Sequence, residues 1–217
     1  MLIIINLDMT FDPEFKKALQ LLSDKEKDKL ILRLLKNNLQ LANRLHFELI
    51  DTDSVQDKRE QLRNRIIKRI QLATERYYSS GYLLMDIREI SGEINEHVYI
   101  TKDKLGEIIL NCLMLRQLLE LNNERISLEK HDKSYTLSIY IIARVFKILI
   151  LIQKQHEDLH LEFREDIEVI GKLIGNNHNL MKTAIHNGLD VNWLIQFNIP
   201  ENISEIHNKL RTNGLLR

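Results

Sequence analysis

Two imidazoles one helical turn apart, with a carboxylate between them, outline a zinc site. His156-Glu157-Asp158-Leu159-His160 has that H-E-x-x-H spacing. On an α-helix, residues i and i+4 share a face, so His156 and His160 would both ligate Zn²⁺ while Glu157 takes a proton from bound water. A third ligand would come from downstream, where Glu201 or Glu205 are the candidates. A divalent metal is the only cofactor that any motif of the chain implies. The reading we favour for the pentapeptide is plainer: a solvated acidic turn at the end of an apolar helix. Glu157, Asp158, Glu162, Glu165, Asp166 and Glu168 stand there against Arg164 alone.

His156, Glu157 and His160 resemble the signature of the zincin metalloproteases. That resemblance implies two ligands and a general base at those positions. The chain departs from the family at Asp158, where an uncharged residue is usual. It departs again at Phe163 and Asp166, where the longer signature has Gly and a third His. Zincins also hold substrate along a strand edge, and no sheet is legible here.

Other constellations are weaker. Glu93-x-x-Glu96 and Glu129-x-x-Asp132 resemble the Mg²⁺-binding carboxylate pairs of all-α nucleoside-triphosphate pyrophosphatases, but a site requires both pairs on facing helices. Lys58, Arg59, Arg63, Arg65, Lys68, Arg69 and Arg76 stand against Asp57, Glu60 and Glu75, a local net charge of plus four. This face could meet nucleic acid or an acidic partner; a solvated helix face is the ordinary explanation. Arg144 and Lys147 interrupt the most apolar stretch and need partners if buried, with Glu96 or Asp86 as candidates. There is no Cys pair, Gly-rich phosphate loop or G-x-S-x-G elbow.

The elements that position these residues read as helices. Among 217 residues there are only two prolines and seven glycines, too few turn residues for a sandwich or barrel. The spacing predicts an all-α multi-helix bundle, with a short tail over 1–11 and one helical domain over 12–217. Asp12-Pro13-Glu14 and Ser23-x-x-Glu26 mark helix starts. Leu30, Leu34, Leu41, Leu45 and Leu49 predict one helix over about 24–50. Leu62, Ile66, Ile70, Ala73 and Tyr77 predict a second, to about Ser80 with Gly81 as its cap. Joined by Asp51-Thr52-Asp53-Ser54, the two would form a long antiparallel hairpin. Helices over about 82–211 follow. One is capped at Thr101 and ends at Asn122-Asn123, and another is a central apolar helix over 135–152. Residues 125–138 read as a polar loop, with a small hairpin as the most β structure the sequence allows.

Equal numbers of basic and acidic residues, 31 of each, remove a global electrostatic case for nucleic acid. A lone Cys112 in an apolar helix suits a reduced, cytoplasmic setting. Charges within 135–152 argue against a membrane span. Leu180–Asn192 resembles the second helix and turn of an ankyrin repeat, without the copies that an array needs. Three functions therefore stand, in order: a non-catalytic interaction or scaffold protein binding another protein or itself; a metal-dependent hydrolase built on His156, Glu157 and His160; and a nucleic-acid binder using the 58–76 face.

Overall fold

The structure is a computed structural model that describes residues 11–216. It divides into two compact units, Met1–Asp51 and Thr52–Arg217, where the sequence suggested one helical domain from residue 12. The described residues are all-α, with no strand among them. Apart from Phe11, the tail expected over 1–11 lies outside the described residues.

In the first unit, the Asp12 carboxylate accepts from the Phe15 N–H at 2.7 Å and Pro13 opens α1 (Pro13–Leu21). Glu26 reaches back to the Ser23 N–H at 2.9 Å and starts α2 (Asp24–Lys36). The single helix expected over 24–50 is in fact two. Asn37 closes α2, and the Asn38 side chain accepts from the Leu41 N–H to start α3 (Leu39–Leu49). Asparagine competes well for caps and poorly for helix interiors, so the paired Asn residues break the run despite the continuous leucine spacing. The expected hairpin thus has no unbroken first arm. α2 packs on α3.

The second unit begins at a reciprocal capping box. Ser54 Oγ accepts from the Asp57 N–H, and Asp57 accepts from the Ser54 N–H at 2.9 Å. α4 (Val55–Glu75) then buries Leu62, Ile66, Ile70 and Ala73 along one face, as the spacing predicts. Gly81 is not a C-terminal cap. It lies in the first turn of α5 (Ser80–Thr101), whose N-cap is Ser79. Glu129 brackets that corner, accepting from the Tyr77 hydroxyl at 2.7 Å and the Ser80 N–H at 2.9 Å. Burial, with this carboxylate alongside, pushes the Tyr77 phenol up to about 12.

α6 (Lys104–Leu128) is capped by Asp103 rather than Thr101. It runs straight through Asn122 and Asn123, because both amides find partners across helices. Asn122 donates to Thr74 Oγ1 at 2.8 Å and Asn123 to the Leu173 carbonyl at 2.9 Å. Residues 125–138 form neither loop nor hairpin. Only Glu129 and Lys130 separate α6 from α7 (His131–Gln153). Ser134 and Ser138 are buried inside α7 by bonding back to the His131 and Ser134 carbonyls.

A 3₁₀ segment (Glu157–Phe163) leads to α8 (Arg164–Gly175), α9 (His178–His186), the short α10 (Asn192–Ile195) and α11 (Ile203–Thr212). α4, α6, α8 and α10 pack in succession as one layer; α5, α7 and α9 pack in succession as the other, with α11 also on α7. Phe146 and Phe163 are the largest side chains fully buried in the core. α7 is the one described helix long and apolar enough to cross a membrane. Eleven of its side chains are buried within the unit, a disposition compatible with a soluble protein.

Candidate functional site

The pentapeptide falls where α-helix gives way to a tighter turn. His156 is the N-cap of the 3₁₀ segment and His160 lies inside it. In an α-helix, residues four apart differ by about 40° around the axis; at three residues per turn the difference is about 120°. His156 has extended backbone, φ −62° and ψ 142°, so the two imidazoles are not carried on one helical turn. His156, 76 % exposed at its side chain, turns its Nδ1 toward Asp158 at 3.2 Å. His160 Nε2 donates to the Gln155 carbonyl at 3.2 Å. Glu157, Glu201 and Glu205 are exposed. Among the described residues no three His, Cys, Asp or Glu side chains are grouped to hold a metal ion. One carboxylate of each pair is otherwise engaged: Glu93 receives Arg65 and Arg69, and Glu129 holds the α4–α5 corner.

The basic face of α4 is largely matched from within. Lys58 pairs with Asp53, Arg63 with Glu60, Arg65 with Glu93, and Arg69 with both Glu89 and Glu93. Arg59 grips Asp103 with two 2.7 Å hydrogen bonds. Lys68 and Arg76 are exposed. Three of the seven cations, Arg59, Arg65 and Arg69, thus tie α4 to α5 and to the N-cap of α6.

Asp103 is 6 % exposed and anchors the junction of α4, α5 and α6. Besides Arg59, it accepts from His97 Nε2 at 3.1 Å and from the Gly106 N–H at 2.8 Å. Burial alone would raise its pKa; these donors outweigh burial and hold the carboxyl well below the usual range.

Arg144 and Lys147 are paired, but not with Glu96 or Asp86. Arg144 donates to Asn111 Oδ1 at 3.2 Å and to the Tyr140 hydroxyl, which donates in turn to Ser91 Oγ. Lys147 binds Glu107 at 2.7 Å and Asn95 Oδ1 at 3.2 Å. Sequence reasoning missed Ser91, Asn95, Asn111 and Tyr140, and no local signal marks them. A roomier groove between α7 and α9, about 590 Å³, is lined by His131, Tyr135, Lys182, Ile185 and His186 among others. Cys112 is buried, which pushes its thiol up and leaves it inert.

The most exposed apolar surface lies in the first unit. No side chain of α1, α2 or α3 is buried. Leu21, Ile31, Leu32, Leu34, Leu39 and Leu49 are all largely exposed, and the expected stripe residues Leu30, Leu41 and Leu45 are only half-buried. Single exposed leucines are ordinary, whereas a run of them on adjoining helices marks an interaction surface.

No family model matches this sequence, and no curated protein or solved structure does either.

Proposed function

We propose that this chain is a non-catalytic interaction protein that pairs with a second copy of itself through residues 11–51. The observation that carries the reading is the first unit: three amphipathic helices, none with a buried side chain. Units of about 40 residues or fewer seldom stabilise a core alone, and oligomerisation is a common remedy. Residues 11–51 carry eight basic and seven acidic side chains, so two copies meet without net repulsion. Leu and Ile in the same positions on each copy give the self-complementary apolar patch that a two-fold interface needs. The single Cys112, buried and free, fits a reduced cytoplasmic setting.

The test is sedimentation velocity on the full chain, beside Leu32→Glu/Leu39→Glu. The wild type is expected to be a dimer at micromolar concentration and the double variant a monomer with its second unit intact. A wild type that stays monomeric across that range while α1–α3 remain helical would overturn the reading.

A further inference from the structure

A cavity of about 370 Å³ opens at the corner between α5 and α6, lined by Asn95, Val98, Tyr99, Lys102, Lys104 and Glu107. Lys147 holds two of these lining residues, Asn95 Oδ1 at 3.2 Å and Glu107 Oε1 at 2.7 Å. Two lysines therefore line the cavity with one carboxylate, and that carboxylate is already engaged by a third, Lys147. Lys102 and Lys104 have no carboxylate partner among the described residues. Asp103, between them in sequence, is turned inward and saturated by Arg59, His97 and the Gly106 N–H, so it offsets little of their charge.

Backbone conformation adds a second observation. Lys102 has φ 59° and ψ 24°, the left-handed region that glycine occupies freely and a long L side chain does not. Glycine would close α5 there with less strain. The strained residue is instead a lysine, whose ammonium stands 4.9 Å from the centroid of the Tyr99 ring. Strain held in place by surrounding bonds is a pointer to function. The bonds here run from Thr101 Oγ1 to the His97 carbonyl and from the Lys102 N–H to the Val98 carbonyl.

We propose that this corner binds a phosphate monoester, with Lys102, Lys104 and Lys147 around the dianion and the Tyr99 ring and Val98 against the group it esterifies. The amide NH₂ of Asn95, whose oxygen is committed to Lys147, supplies a further donor. An apolar wall beside convergent cations is the usual composition of a small-ligand site.

Phenyl phosphate, inorganic phosphate and phenol are the probes, titrated calorimetrically into the full chain at low salt. Saturable binding is expected for phenyl phosphate, weaker binding for inorganic phosphate, and none for phenol. Lys104→Glu is expected to weaken phenyl phosphate at least tenfold without lowering Tm, and Tyr99→Leu to bring it down to the level of inorganic phosphate. Lys102→Gly separates binding from folding: relief of the left-handed strain raises Tm while affinity falls. No saturable heat from either phosphate, or equal affinity in wild type and Lys104→Glu, would overturn the assignment.

Discussion

Asp103→Asn tests whether the α4/α5/α6 junction is held as described. The substitution keeps shape and volume but replaces one carboxylate oxygen by an NH₂ group. Whichever oxygen is replaced, that group faces an Arg59 N–H, together with either the His97 Nε2–H or the Gly106 N–H, all of them donors. Breaking a buried pair from one side costs roughly 3–5 kcal/mol. Arg59 keeps 23 % side-chain exposure and can recruit water, so the lower end, about 3 kcal/mol, is expected. For a domain of this size each kcal/mol moves Tm by about 2–4 °C, so thermal unfolding followed by circular dichroism should show a fall of about 6–12 °C. Arg59→Gln should cost less on the D103N background than on wild type, with a coupling of about 2 kcal/mol. The pH dependence has a definite sign. The folded carboxyl lies below its unfolded value of about 3.9, so its stabilisation is complete above that pH and is lost as pH falls toward the folded value. The gap between wild type and D103N should therefore narrow below about pH 4. A fall of less than 2 °C at about pH 7, or strict additivity with Arg59→Gln, would refute the reasoning.

Two further outcomes follow from local geometry. A Cβ on Gly171 would lie 2.7 Å from Leu194 Cβ and 3.0 Å from the Ile195 backbone nitrogen. Gly171→Ala should therefore push α8 off α10 and cost about 1–2 kcal/mol, even after the gain in helix propensity, read as a lower midpoint in urea. His156→Ala/His160→Ala should leave both Tm and metal content unchanged, since His156 has extended backbone and lies outside the 3₁₀ turn that carries His160; loss of one equivalent of zinc in the variant would show that the turn rewinds around a metal.

Much of this fold is legible wherever a signal is local. The caps at Asp12 and Ser23 depend on residues three positions away, and the Leu62, Ile66, Ile70, Ala73 stripe on one helix face. The misreadings share a different cause. Thr101 and Asp103 are both acceptable caps; the choice falls to Asp103 because Arg59, 44 positions earlier, reaches it. Asn122 and Asn123 look like a helix end until Thr74 and the Leu173 carbonyl supply their partners. The H-E-x-x-H pattern specifies residue types but not three or 3.6 residues per turn, and the zinc geometry depends on that difference. The layered packing has no counterpart in sequence, because the successive helices of one layer begin at Val55, Lys104, Arg164 and Asn192 and differ widely in length. Helix pairs can stack repetitively without a repeating sequence.

The two surfaces proposed for binding differ in their physics, and ionic strength separates them. In the second unit most cations of α4 are already matched by Asp53, Glu60, Glu89, Glu93 and Asp103, whereas Lys102 and Lys104 at the α5–α6 corner are not, among the described residues. In the first unit the unmatched quantity is apolar area, with its charges nearly balanced. Salt screens exposed charges over about 8 Å at physiological strength and 3 Å at 1 M, whereas it leaves apolar burial intact or strengthens it. Raising NaCl from about 0.05 to 1 M should therefore abolish phenyl phosphate binding and leave the dimer standing. A dimer that dissociates over the same range would place its contacts on charged side chains instead, and the leucines of α2 and α3 would then need a different partner.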